Sequence, residues 1–201
     1  MIEIEKYSSV DVRERYEALK RKVTERRDAF LRFIVFLETQ TAWLTSPAST
    51  RFHLNIEGGL LIHSVGVTEN ALRIKDILAP AISDESVVIS GLFHDIGKVG
   101  YPGKPYYLPN DNSWEVEKRG ITYKVNSDVI TMNLAVRSLF LVSQYVPLTE
   151  QEAQAIVAHD GVYPLRGGVN NLDYHHKECR LLMILQFADK WTAAVEEEGR
   201  L

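Results

Sequence analysis

The sequence has a single cysteine, Cys179, among 201 residues, so no internal disulfide can form, which fits a reducing compartment. A packed thiol is the simpler reading of that residue than a nucleophile. No apolar run approaches the roughly 20 residues that a spanning helix requires. The chain is charged from Glu3 onward, so neither a signal peptide nor a membrane span is expected, and the reading is of a soluble, cytoplasmic protein. Positive charge is not in excess: 23 Lys and Arg against 27 Asp and Glu leave a formal net charge of −4. That balance speaks against a protein that coats DNA or other nucleic acid, because such binding rests on clustered cations facing phosphates. Low-complexity tracts, solenoid-length repeats and obvious linkers are also missing, and the default is one domain over residues 1–201.

What is present is helical periodicity. Val12, Tyr16, Leu19 and Val23, then Phe30, Phe33, Ile34 and Leu37, recur at three- and four-residue spacing from Ser9 to about Leu44, which predicts one long amphipathic helix or two in series. A second helix is expected from Gly58 or Gly59 to Leu78, with Leu60, Val67, Ala71, Ile74 and Leu78 on one face and Pro80 stopping it. A third starts at Ser83, an N-cap followed by Asp84 and Glu85, and ends near Gly97. Between Lys98 and Ser127 the periodicity gives way to turn residues and aromatic and β-branched side chains, and a small β-hairpin is expected, with strands near Trp114 and Thr122 around Arg119 and Gly120. Helices resume over Ser127–Tyr145, at Thr149 with a Thr149/Glu152 capping box, and from about His176 to Glu197. The fold class is all-α with a minor β element.

Four polar residues interrupt the apolar faces. His63 lies three residues after Leu60 and four before Val67; Asp189 lies four after Leu185; Asp95 follows Val88 and Leu92 at helical spacing, with His94 beside it. A buried ionised carboxylate needs a compensating cation, and no lysine or arginine is expected on those faces at helical spacing. A metal ion between two imidazoles and two carboxylates would answer both charges. The ordinary alternative is that each histidine is simply hydrogen-bonded and each aspartate caps a neighbouring helix. Spacing alone leaves both readings open.

The segments GGLLIHSVGVTENAL around His63, SGLFHDIGKV around His94 and Asp95, and LQFADKWTAAV around Asp189 resemble the HD-domain superfamily, whose pattern is a histidine, a His-Asp pair and a later aspartate. The resemblance covers about residues 50–197, with 9–45 as an N-terminal helical extension. It implies a helical bundle, from whose compact core the small hairpin or loop insertion between Lys98 and Ser127, after the HD helix, differs most, and His63, His94, Asp95 and Asp189 as ligands of a divalent metal. It further implies hydrolysis of phosphate esters, commonly in nucleotides, by water without a covalent intermediate. Mixed imidazole and carboxylate ligands suit Mn²⁺, Fe²⁺, Co²⁺, Ni²⁺ or Zn²⁺, and Mg²⁺ belongs on the same list. Lys98, which closes the HDIGK run, is placed to neutralise a phosphate oxygen. Family nucleotidases acting on deoxynucleoside monophosphates tend to carry glutamate there, which disfavours that subgroup.

His159, in AIVAHDGVY, resembles a further histidine of family members with a longer ligand set, including two-metal phosphodiesterases and a bacterial exoribonuclease group. The additional histidine of the two-metal enzymes is missing from SDVITMNLAVRSLF. His159 is therefore assigned to phosphate binding or acid/base work, with Asp95 and Lys98 as its catalytic companions, and a helix-end cap as the plain alternative. His53 matches a histidine of the exoribonuclease-like members and is a substrate-contact candidate. Arg166, in RGGVNN, is another, on a pocket rim, whereas His175 and His176 are left out of the metal set. Tyr101, Tyr106, Tyr107 and Trp114 are candidates to stack a base, and Lys104, Arg119 and Lys124 to meet phosphate. The expected ligand is a small phosphate ester or nucleotide, with short RNA as the alternative, and the N-terminal helices are suited to pairing in a homodimer or with another partner. A scaffold that binds a nucleotide without turnover is the non-enzymatic alternative.

Overall fold

All eight apolar residues that recur between Val12 and Leu37 are buried, and of the two expected arrangements it is two helices in series that form. In the computed structural model, which describes residues 9–161 and 177–198, α1 spans Ser9–Lys20 and α2 spans Arg27–Gln40. The break between them is held from outside: the Glu85 carboxylate accepts the backbone N–H groups of Thr24 and Glu25, each at 2.8 Å.

Helix α3 (Gly59–Leu78) is the axis of the fold and packs against α1, α4 (Asp84–Phe93) and α8 (Arg180–Trp191). Its expected apolar face is buried at Leu60, Val67 and Ala71. Leu78 departs from the expectation and is 73% exposed, because the chain leaves the helix at Ala79, which is buried in its place. Ser83 caps α4 by accepting the Ser86 N–H, as its position predicts. The α-helix then stops at Phe93, short of Gly97, and a 3-10 turn covers Ile96–Val99. Two glycines permit the close packing. A Cβ at Gly91 would meet Thr68 Oγ1 of α3 at 2.6 Å, and one at Gly97 would meet the Leu134 carbonyl oxygen at 2.1 Å.

The insertion corrects the expected hairpin. β1 (Tyr107–Pro109) and β2 (Tyr123–Val125) pair antiparallel, Tyr107 opposite Val125, and between them lies a helix, α5 (Ser113–Arg119). Trp114 is therefore helical, and Arg119-Gly120 is a helix end, not a hairpin turn. Local capping overrides the β-type composition: Asn112 accepts the Glu115 N–H, and Gly120, at φ 64°, closes the helix in the left-handed region. Helix α6 (Leu134–Ser143) begins later than Ser127 because Asn133 is its cap, accepting from Val136. α7 (Glu150–Ala158) carries the expected Thr149/Glu152 capping box. α8 starts at Arg180, not near His176, with Cys179 Sγ accepting the Leu182 N–H at 3.4 Å, so the thiol is a packed cap. A π-helical turn, Thr192–Glu197, continues it. Arg166, His175 and His176 lie outside the described residues. Among the described residues, no helix is long and apolar enough to cross a membrane.

Arg26 locks the N-terminal helices onto this bundle. Its Nε donates to Glu85 Oε1 at 2.6 Å, while Nη1 and Nη2 hold the two oxygens of Glu152 at 2.7 Å each. Burial by itself would raise both carboxyls, but Arg26 and the backbone N–H groups around them bring both below the ordinary 4.5. Since the folded values lie below the unfolded ones, the stabilisation is complete above about pH 5 and is lost as pH falls through the depressed values. Arg26→Met strands two buried carboxylates, and urea unfolding at neutral pH is expected to show a loss of about 3–5 kcal/mol. The gap to the wild type should narrow below about pH 4 as the carboxylates are protonated.

Candidate functional site

Four imidazole rings run in a chain through the middle of the bundle, with centroids 5.0 Å apart for His53 and His63, 5.4 Å for His63 and His94, and 4.8 Å for His94 and His159. His63 comes from α3, His94 from the end of α4 and His159 from the end of α7, and all three are buried. Each is oriented through Nδ1. His94 Nδ1–H donates to the Gly91 carbonyl at 2.7 Å and His159 Nδ1–H to the Ile156 carbonyl at 2.8 Å, both using last-turn carbonyls that the helix leaves free. His63 Nδ1–H donates to the Glu197 carboxylate, 3.1 Å from each oxygen. With Nδ1 committed as donor, each ring turns Nε2 toward the same interior space.

Two carboxylates face them there. Asp95, in the turn after α4, has Oδ2 3.8 Å from His63 Nε2 and 3.6 Å from His94 Nε2, and Oδ1 3.7 Å from His159 Nε2. Asp189, from α8, has Oδ1 3.1 Å from His63 Nε2 and 3.9 Å from His94 Nε2. His63, His94 and Asp189 can hold one ion between them, and so can His94, Asp95 and His159, the donor atoms of each set lying within 4.8 Å of one another. The buried Nε2 atoms of His94 and His159 have no hydrogen-bond partner, although buried polar atoms are ordinarily satisfied. The neutral His94 ring offers its open Nε2 as a ligand atom, and imidazoles gathered round two carboxylates are a donor set that a divalent cation fits, displacing any proton they hold.

The HD domain family model matches residues 60–194, well over half of the chain. The chain belongs to the HD domain family. HD domains are in general metal-dependent phosphohydrolases, and the His/Asp cluster of this one could hold a metal. Neither the curated proteins nor the solved structures return a match.

Electrostatics separates the histidines of this HD domain. Burial, reinforced by His159 and His63, pushes His94 down to about 4 despite the opposing Asp95, leaving a neutral ring. Burial also works against a charge on His63 and His159, but it is outweighed. Glu197 and Asp189 raise His63 to about 10, and Asp95 with Asp160 raises His159 to about 9. Burial would raise both aspartates; Lys98 and His94 hold Asp95 well below the ordinary carboxylate range, and His63 does the same for Asp189.

Lys98 corrects the expectation that no basic residue shares the aspartate's face. Its Nζ donates to Asp95 Oδ2 at 2.5 Å, and Asp95 holds the largely buried ammonium above its ordinary value against the pull of burial. Part of the charge compensation is thus covalently built in. His53 closes the chain of rings at its outer end, with Nε2 buried and unpartnered and Nδ1 4.0 Å from Glu198. Among the insertion residues, Tyr107 is in the same electrostatic neighbourhood: burial raises its phenol while Lys98 opposes. Trp114 and Tyr101 are exposed. Arg119 and Lys124 are taken up by Glu115 and Asp111.

Glu197 is the member of the cluster that sequence reasoning misses, and it lies past the matched family span. Eight positions after Asp189, it would sit about 80° off that residue's face in an uninterrupted α-helix. The extra residue taken up by the π-helical turn removes about 100° and brings it back to the His63 side. A carboxylate behind a ligating imidazole fixes its tautomer and raises its basicity. Mn²⁺ or Co²⁺ at a hundredfold excess over its Kd is expected to raise the Tm of metal-free protein by about 5–10 °C. Glu197→Gln should weaken the ion about 10- to 100-fold in competition with a chelator; wild-type affinity in that variant would reduce Glu197 to packing.

Proposed function

We propose that this HD domain hydrolyses a nucleotide or another small phosphate ester, with His63, His94, Asp95 and Asp189 as the metal ligands. The observation that supports the reading most directly is the buried, partnerless Nε2 of His94, aimed with His63 Nε2 at two aspartates. A divalent ion, when bound, lowers the pKa of water and offsets charge on a phosphoryl group.

The remaining roles fall to the chain's own side chains. Asp95 and Asp189 carry the negative charge of the ligand set, and their cationic neighbours keep them ionised. Lys98 holds Asp95 through one of its three N–H donors and can turn another to a phosphate oxygen. His159 Nε2, beside Asp95 Oδ1, can hold a proton and pass it to the leaving oxygen. His53 Nε2, at the outer end of the ring chain, is a substrate contact. Burial excludes bulk water, so these charges act more strongly than they would at the surface.

The extended run of imidazoles favours one further reading, cleavage of a phosphodiester in a cyclic nucleotide or short RNA, since His159 and His53 lengthen the site beyond the four ligands. One assay separates the readings. Purified protein with Mn²⁺ or Co²⁺ is offered nucleoside mono-, di- and triphosphates, cyclic nucleotides and short RNA, and products are read by chromatography. Turnover of a monoester or nucleotide, reduced at least about 10³-fold by Asp95→Ala, is expected. Products from cyclic nucleotides or RNA alone would move the assignment to the diesterase, and metal and nucleotide binding without product under any metal would leave a binding scaffold.

A further inference from the structure

Arg137 carries a charge that no acidic side chain among the described residues answers. It sits on α6, only 5% exposed, and its Nε is buried without a hydrogen-bond partner. Nη2 donates to the Ile130 carbonyl, and the guanidinium lies 5.8 Å from the centroid of the Tyr106 ring. Burial lowers its pKa, with Tyr106 as the opposing influence. A cation taken out of water and left half-satisfied is costly unless something completes it.

Beside it opens a pocket of about 600 Å³, between the insertion and α6, a size that accommodates a small organic molecule. Its walls hold apolar side chains that stay in contact with solvent: Tyr101, Ile130, Met132 and Phe140. Lys104 adds a second cation, and Asp128 shares the lining, which disfavours polyphosphates and favours a singly charged head. The geometry points to this pocket as a binding site for a small organic anion with an apolar body, its carboxylate or sulfonate end on Arg137 and its body against Ile130, Met132, Phe140 and Tyr101. The site is distinct from the His/Asp cluster, and the two adjoin through Gly97, where a Cβ would stand 3.2 Å from Arg137 Cβ.

Calorimetric titration of the full chain with 2-naphthoate and with its neutral isostere 2-naphthamide tests this. One naphthoate per chain is expected, with the amide at least tenfold weaker. Ile130→Glu changes a side chain that is 80% exposed, so the fold is preserved while a like charge enters the wall, and it should weaken naphthoate at least tenfold. Arg137→Gln should do the same if it folds. Absence of binding, equal binding of the amide, or naphthoate affinity untouched by Ile130→Glu would each overturn the assignment.

Discussion

The Asp95 carboxylate sets the terms for the rest of the molecule. It is 5% exposed and ionised, a state that a protein interior tolerates only when opposing charge or donors surround it. Lys98 reaches it from the following turn, His94 from the preceding residue, and His63 and His159 from two other helices. The packing follows from that requirement. α3 and α4 approach closely enough that Gly91 has no room for a side chain beside Thr68, and the turn carrying Lys98 lies so near α6 that Gly97 faces the Leu134 carbonyl.

A second carboxylate system, remote from the first, obeys the same rule with a different purpose. Glu85 and Glu152 are buried against a single guanidinium, and among the described residues no buried side-chain atom there lacks a partner. Around Asp95 the histidine nitrogens are left open. A satisfied buried network holds helices in register, whereas buried atoms left without a partner call for one.

Much of this was legible in local sequence chemistry. The Ser83 cap and the Thr149/Glu152 box depend on residues three apart and fold as they read. The apolar faces of α1, α2 and most of α3 follow the helical period, and His63, His94, Asp95 and Asp189 meet as their shared faces imply. What was not legible depends on departures from that period. Lys98 is the exception: three residues after Asp95, it falls on the same face in an α-helix and a 3-10 turn alike, so this pairing was open to the sequence and was passed over. Glu197 returns to His63 only because of the π-helical turn. Trp114 and its neighbours have β-type composition, but Asn112 and Gly120 close them into a helix. Arg137 sits on an ordinary amphipathic helix, and only the tertiary structure shows that no acidic side chain among the described residues pairs with it.

The bond from His63 to Glu197 joins residues 134 apart in sequence, and that from Arg26 to Glu152 joins residues 126 apart. Contacts of such range give their stabilisation only after long loops have closed, which slows folding relative to helical proteins built from local contacts. Synthesis adds a direction to this. His63, His94, Asp95 and His159 leave the ribosome before α8 does, so during translation a set of imidazoles and a carboxylate exists without Asp189 or Glu197. The cluster is thus complete only once α8 and the turn after it have been made, and a chain stopped short of them carries three imidazoles and one carboxylate without Glu197 to orient His63.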